Sequence, residues 1–393
     1  MNKTEYFTIK QLSFLLIFSI LVVFVISCEK EIKVSGLIVE PKEITLSKDD
    51  VFQLIYVVKP YRAEDKSLTF TSQDASIASV SESGVVRGVS TGKTQIIVKT
   101  KEENFADTVS VRVLRGSSAG DSIALIKLHE CARGLPNWDF TKPMDQWERV
   151  QLNSNRRVVY INYGNNIYLT RPLDPSIGDL ACLTTLSLAN YNYNDNIIIP
   201  DEIGMLTELK LLNIHDFNGI IPPELGNLTK LKYLYFQYNN LTGNIPKELG
   251  NLVNLEVINF AYNQLTGNIP KELGNLVNLV HIDIVYNQLT GNIPKELGNL
   301  VNLESLYLYS NQLTGEIPKE LGNLNNLWDL YLYSNQLTGE IPKELGNLNN
   351  LRYLYLHDNS LSGNIPESLL NKFSSWSFCP QNGTNFDNLD CGW

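Results

Sequence analysis

A 24-residue unit that recurs almost letter for letter constrains this chain more than any other feature. Leu241-Thr242-Gly243-Asn244-Ile245-Pro246-Lys247-Glu248-Leu249-Gly250-Asn251-Leu252 returns at Leu265 and Leu289. With Glu for the first Asn it returns at Leu313 and Leu337, and a looser copy starts at Leu361. A fixed period of roughly 20–29 residues, rich in Leu and Asn, specifies a solenoid, because each unit can bury its apolar face only against its neighbours. Function then reduces to what a long, regular surface can hold.

Nine units run from Val158 to about Pro366. Their strand phrase is Leu-x-x-Leu-x-Leu-x-x-Asn, as in Leu255, Ile258, Phe260 and Asn263, or Leu303, Leu306, Leu308 and Asn311. The apolar letters should point inward from a short parallel strand. Asn239, Asn263, Asn287, Asn311, Asn335 and Asn359 should form a column whose amides satisfy backbone groups in the turn and in the next unit. Gly243 and its copies permit the turn, Pro246 and its copies favour an extended back, and Lys247-Glu248 reads as a solvated outer face. The unit around Leu209 is two residues short and lacks the column Asn. The phrase and the Leu-x-Gly-x-Ile-Pro that follows resemble the plant-type leucine-rich repeat. That resemblance implies an α/β solenoid with short parallel strands on its concave face and a cap at each end.

The N-terminus reads as an export leader. Lys3 and Lys10 precede an apolar run from Leu12 to Ile26, too short for a comfortable membrane span. The leader carries one net positive charge, so the remainder of a chain at −10 stands at −11. An acidic body argues against nucleic-acid binding, which needs clustered Lys and Arg. Val25-Ile26-Ser27-Cys28 resembles the bacterial lipoprotein box. The resemblance implies lipid on Cys28 and a chain anchored in the outer membrane, exposed at the cell surface; two or more acyl chains hold stably.

Between Gly36 and Val113, Gly, Asp and Ser separate seven short β-branched runs, at 37–39, 51–58, 68–71, 77–80, 85–89, 95–99 and 108–113. This pattern suggests an immunoglobulin-like β sandwich. Thr71 through Val80 and Gly84 through Gly92 resemble the group 2 bacterial immunoglobulin-like domain, with Phe70 where that family commonly has Trp. The resemblance implies a stalk. The reading divides the chain into leader 1–27, tether 28–35, immunoglobulin-like domain 36–114, flexible linker 115–120, N-terminal cap 121–157, repeats 158–366 and C-terminal cap 367–393.

In the N-terminal cap, Asp121 to Ala132 reads as a helix capped by Asp121. With Trp138 and Trp147 it resembles the cap of plant-type repeat proteins, although that family's cap Cys is missing after Val150. Four cysteines remain beside Cys28, and an even number in an exported chain suggests two disulfides. Three pairings are open; Cys131–Cys182 and Cys379–Cys391 are the expected ones.

In each unit the third, fifth and seventh letters of the strand phrase should face the concave side. They vary while the backs repeat, which suggests recognition. Two tyrosine-rich zones emerge: Tyr233 and Tyr235, joined by Tyr238, and then Tyr307, Tyr309, Tyr331, Tyr333, Tyr353 and Tyr355, with Asp329 and His357 beside them. Tyrosine supplies apolar area and a hydroxyl at low entropic cost and is enriched at interfaces. His281, Asp283 and Ser305 invite a triad reading, but a flat strand face offers no oxyanion hole and does not exclude water. No enzyme, cofactor or metal site is expected. The expected function is binding of a protein partner in adhesion or host contact. Glycan binding by stacked tyrosines and a passive scaffold are the alternatives.

Overall fold

The computed structural model describes residues 33–60, 63, 65–101, 104–114, 118–133, 138–162, 168–189, 197–370, 375–379 and 381. The leader, Cys28 and Cys391 lie outside the described residues.

The first unit is a β sandwich. Glu43–Ser47, Ala106–Leu114, Gly92–Thr100 and Leu68–Ser72 form one sheet, in that spatial order. Val51–Gln53, Val85–Gly88 and Ala78–Val80 form the second, and Gly36–Glu40 pairs with Ile55–Lys59. Alternation is plain in Gly92–Thr100, where Thr94, Ile96, Val98 and Thr100 are buried and Lys93, Gln95 and Lys99 are exposed. The apolar set packs with Val39, Leu46, Leu54, Val86 and Val109 as one core. Two details depart from the sequence reading. The expected strand at 51–58 is broken at Leu54, which turns into the core while Val51 and Ile55 stay exposed. Glu43–Ser47 was not anticipated; it lies parallel to Ala106–Leu114 and buries Ile44 and Leu46.

The cap helix spans Ser118–Cys131 and so begins inside the stretch read as a flexible linker. Asp121 is therefore a helical residue rather than a cap, and it is fully buried. Its carboxylate accepts from Arg157 Nε at 2.9 Å and Nη2 at 2.8 Å, and from the Val158 N–H at 2.7 Å. This bidentate pair ties the helix to the first repeat strand. Trp138 and Trp147 stack at 5.1 Å beneath it. The sandwich also touches the solenoid directly: Arg112 pairs with Glu208 at 2.6 Å and donates to Thr207 Oγ1 at 3.0 Å.

The solenoid carries an eleven-stranded sheet. Val150–Leu152 enters antiparallel to Val158–Asn162, and every later pairing is parallel, ending on Ser375–Ser377. Leu, Ile and Phe from the strands and turns make one continuous core from the cap helix to Phe378. Pro246 and its copies are extended, but they lead into short 3-10 helices such as Lys247–Asn251 and Lys271–Asn275, not a polyproline-like back. These turns stack so closely that a Cβ at Gly250 would lie 2.7 Å from the Glu272 carbonyl oxygen. The repeated Gly of Leu-Gly-Asn is thus fixed by inter-unit approach.

The column amides bridge units. Asn263 Oδ1 accepts the Leu241 N–H at 3.0 Å, and its Nδ2 donates to Phe236 O at 2.7 Å and Phe260 O at 3.0 Å. Asn287 repeats this on Leu265, Phe260 and Ile284. In the short early unit Phe217 occupies the column position, fully buried, and its N–H donates to Asn239 Oδ1 at 2.7 Å. At the far end Gln381 takes over: its Oε1 accepts from Leu361 N, and its Nε2 donates to Leu356 O and Phe378 O. A second, exposed column, missed in the sequence reading, has Asn254, Asn278, Asn302, Asn326 and Asn350 donating to carbonyls one unit back.

The expected Cys131–Cys182 disulfide is not formed; both are thiols. Cys131 lies at the C-terminal end of the cap helix, where its Sγ donates to Pro172 O at 3.2 Å. Cys182 lies within electrostatic reach of Arg157, which grips Asp121 near the helix start. The two sulfurs thus face different groups, the Pro172 carbonyl and the Arg157 guanidinium. Cys379 is disulfide-bonded.

Two stability changes follow. Asn287→Ala strands buried N–H and C=O groups in two units and is expected to cost about 1–3 kcal/mol in urea unfolding. Asp121→Ala leaves the Arg157 guanidinium buried without its carboxylate and should cost about 3–5 kcal/mol, read as a lowered urea midpoint.

Candidate concave binding face

The short strands place their apolar letters inward and their third and fifth letters outward. In Ser305–Tyr307, for example, Leu306 is fully buried while Ser305 and Tyr307 are partly exposed. Parallel register then stacks like positions. Tyr307 and Tyr331 lie face to face at 4.7 Å, and Tyr355 meets Tyr331 edge-on at 4.8 Å. One column over, Tyr309 and Tyr333 stack at 4.3 Å, and His357 stacks on Tyr333 at 4.5 Å.

The sequence reading missed that this second column is longer. Tyr238, Tyr262 and Tyr286 occupy the eighth letter and stack at 4.7 and 4.5 Å. Tyr286 then meets Tyr309 edge-on at 5.5 Å. A continuous aromatic ridge thus runs from Tyr238 to His357, changing column between Tyr286 and Tyr309. Where the ring is on the eighth letter, the seventh is Gln237, Ala261 or Val285; where it is on the seventh, the eighth is Ser310, Ser334 or, after His357, Asp358. The eighth letter has a left-handed backbone, with φ of 57° at Tyr238 and Tyr262 and 51° at Tyr286. A bulky residue is uncommon there. The recurring Tyr-Asn pair was the available signal; alternation, which carries a strand only to its end, could not place it.

The early zone is separate. Tyr233 and Tyr235 lie parallel at 6.4 Å, and Tyr233 Oη donates to Glu256, which also pairs with Lys232. Tyr353 sits at the exposed rim, in register with Asp329.

Polar groups lie among the rings. Asp329 accepts from Tyr307 Oη at 2.9 Å and from Ser305 Oγ at 3.2 Å. Ser305 thus gives its proton to Asp329 rather than to His281, and the suspected triad is not assembled. His281 meets the Tyr307 ring edge-on at 5.2 Å, and burial holds its pKa below the usual value. Asp283 accepts a single N–H, from Val285 at 3.3 Å, and burial pushes its carboxyl up to about 6. Burial likewise raises the phenols of Tyr307, Tyr309, Tyr331 and Tyr333, so all four are protonated hydrogen-bond donors at neutral pH. Among the described residues no group of His, Cys, Asp and Glu is placed to hold a metal ion.

The raised Asp283 pKa predicts a pH-dependent cost. The folded state binds this proton more tightly than the unfolded chain, so stability falls as pH rises from about 4 to 6, and the loss persists above that. Asp283→Asn is expected to raise stability by about 1–3 kcal/mol at neutral pH and to give no gain below about pH 4, measured by urea unfolding across pH.

Comparison with known proteins agrees with this architecture. The bacterial Ig-like domain (group 2) matches residues 33–111, and a leucine-rich repeat region matches residues 223–378. An Ig-like virion protein of Serratia phage KSP90 is 34% identical over 83 residues, which is 21% of this chain and 32% of the phage protein. The repeat ectodomain of the Arabidopsis thaliana receptor kinase GASSHO1/SCHENGEN3, solved with CASPARIAN STRIP INTEGRITY FACTOR 2, is 33% identical with a TM-score of 0.54. It covers 64% of this chain and 34% of its own. The PEPR1–AtPEP1 structure is 27% identical with a TM-score of 0.57, over 68% of this chain and 42% of that one. The chain thus spans less than half of either of these solved chains. It joins a group 2 bacterial immunoglobulin-like domain to a leucine-rich repeat solenoid whose concave sheet carries the aromatic ridge.

Proposed function

We propose that this protein binds a protein partner on the concave face of its repeats and does so at a bacterial cell surface, in adhesion or host contact. The observation that carries the reading is the unbroken ridge of rings from Tyr238 to His357, half-exposed on a rigid sheet. Rings held by stacking lose little entropy on binding, and aromatic side chains concentrate interface energy. Nine repeat strands spaced about 4.8 Å apart span roughly 38 Å, enough for a standard patch of about 800 Å² per partner. Similar solenoids hold ligands: the GASSHO1/SCHENGEN3 structure is a complex with CASPARIAN STRIP INTEGRITY FACTOR 2, and PEPR1 is seen with AtPEP1. In this reading lipid on Cys28 anchors the chain in the outer membrane and the immunoglobulin-like domain acts as a stalk. No catalytic role is assigned.

Two experiments test it. Tyr307→Ala/Tyr331→Ala/Tyr355→Ala should abolish capture of the partner in a cell-lysate pull-down and leave the urea midpoint lowered only slightly; full capture by this folded variant would remove the ridge as the site. Binding on a glycan array instead would favour sugar rings on the tyrosine faces. For the anchor, metabolic labelling with a clickable fatty acid should mark the wild type and not Cys28→Ala.

A further inference from the structure

Granted that a partner docks on the concave face, we propose that the segment seated there is an extended, basic stretch of protein whose Arg or Lys side chains are received beside Asp283 and Asp329. The charge of the face commits it to that chemistry. Across all nine units the third, fifth and seventh letters include no Lys, Arg or Glu, and their formal charges are Asp283 and Asp329. Asp216 and Asp358 at eighth letters add charge of the same sign. Asp329 is held by two hydroxyls, but Asp283 accepts one long hydrogen bond and pairs with no cation of this chain among the described residues. Asp283 also weakens the fold at neutral pH, as its raised pKa requires. A half-buried carboxylate without a counter-charge is completed by an incoming cation.

The surroundings suit a guanidinium in particular. Tyr307 lies beside Asp283 in register, and Tyr309 and Tyr262 are within its electrostatic reach. Flat rings flanking a carboxylate offer cation–π contact and a charge-assisted hydrogen bond together. The chain's net charge of −10 would steer a basic segment toward the face before contact.

The seat is also pH-sensitive. A bound cation favours ionised Asp283, so affinity should fall as pH drops through about 6. His281, the titrating neighbour on the same strand, is held neutral by burial and gains positive charge only in acid, which adds repulsion of the same sign. Tyr307, Tyr309 and Tyr262, facing from the adjacent units, have raised pKa values and stay protonated throughout; Asp329, beyond Tyr307, contributes negative charge.

The test uses the full chain and a short fluorescent peptide of alternating Arg and Ser, with a Glu-for-Arg counterpart. The Arg peptide should bind saturably and the Glu peptide should not. Asp283→Asn should weaken the Arg peptide about tenfold and flatten its pH dependence. Glu272→Gln/Glu296→Gln, which removes two charges from the convex back, should leave affinity unchanged. Equal weakening by the back variant and by Asp283→Asn/Asp329→Asn would reduce the effect to diffuse charge attraction and overturn the proposal. So would equal binding of both peptides, or of neither. If Asp283→Asn/Asp329→Asn leaves Arg-peptide binding intact while Tyr309→Ala/Tyr333→Ala removes it, the seat is refuted and the concave-face reading stands. If neither double variant matters, both fall.

Discussion

The solenoid depends on one recurring interaction, a buried Asn amide that closes backbone groups in two units at once. Each coil turns sharply after its strand; Tyr238 and Asn239 N–H still reach carbonyls of the next unit, while groups such as Phe236 O and Leu241 N–H are met by the column amides. Water cannot reach them, so an internal donor and acceptor must stand there. Asn is short enough to fit and carries both. The column from Asn239 to Asn359 therefore sets the pitch of the stack, and Gln381 extends it into the C-terminal cap with one more methylene of reach. The leucines supply the driving force, but any apolar stack would do as much. The amides decide that unit follows unit in a single register.

The same regularity produces the aromatic face. Parallel strands in register bring like letters about 4.8 Å apart, a distance at which phenol rings stack. Tyr309, Tyr333 and His357 are aligned because their strands are, and the rings hold each other against rotamer exchange. The face is thus preorganised by strand register and ring stacking. Asp283 stands apart: it weakens the fold at neutral pH, yet it is placed where a ligand could relieve it. A half-buried carboxylate that costs stability and meets no cation among the described residues is a candidate for function.

Much of this was legible in the sequence because the repeat is nearly exact. Period, apolar letters and Leu-x-Gly-x-Ile-Pro specified the coil, and the fifth letters located the rings of Tyr307, Tyr331 and Tyr355. What escaped was non-local or non-alternating. The Asp121–Arg157 pair joins residues 36 positions apart, and local pattern made Asp121 look like a cap. Cys131 and Cys182 satisfied arithmetic, but both are thiols, and Cys131 is turned to the Pro172 carbonyl. Tyr262 and Tyr286 lie three positions beyond their strands, which end at Asn259 and Asp283, where the left-handed turn aims a ring that alternation cannot place. Leu54 broke a strand because the sandwich needed a core residue at a point where the β-branched run continues on both sides.

The unit-by-unit bookkeeping of the ridge has a further consequence. Every 24-residue copy brings its own amide rung and its own share of the aromatic crest, while the caps pair with the first and last strands of the stack. Unequal recombination that inserts or drops a whole copy would therefore yield a foldable chain whose crest is longer or shorter by one step of about 4.8 Å. The protein is built like a ruler with removable divisions, and the length of its aromatic crest is adjustable in whole steps without redesigning a single coil.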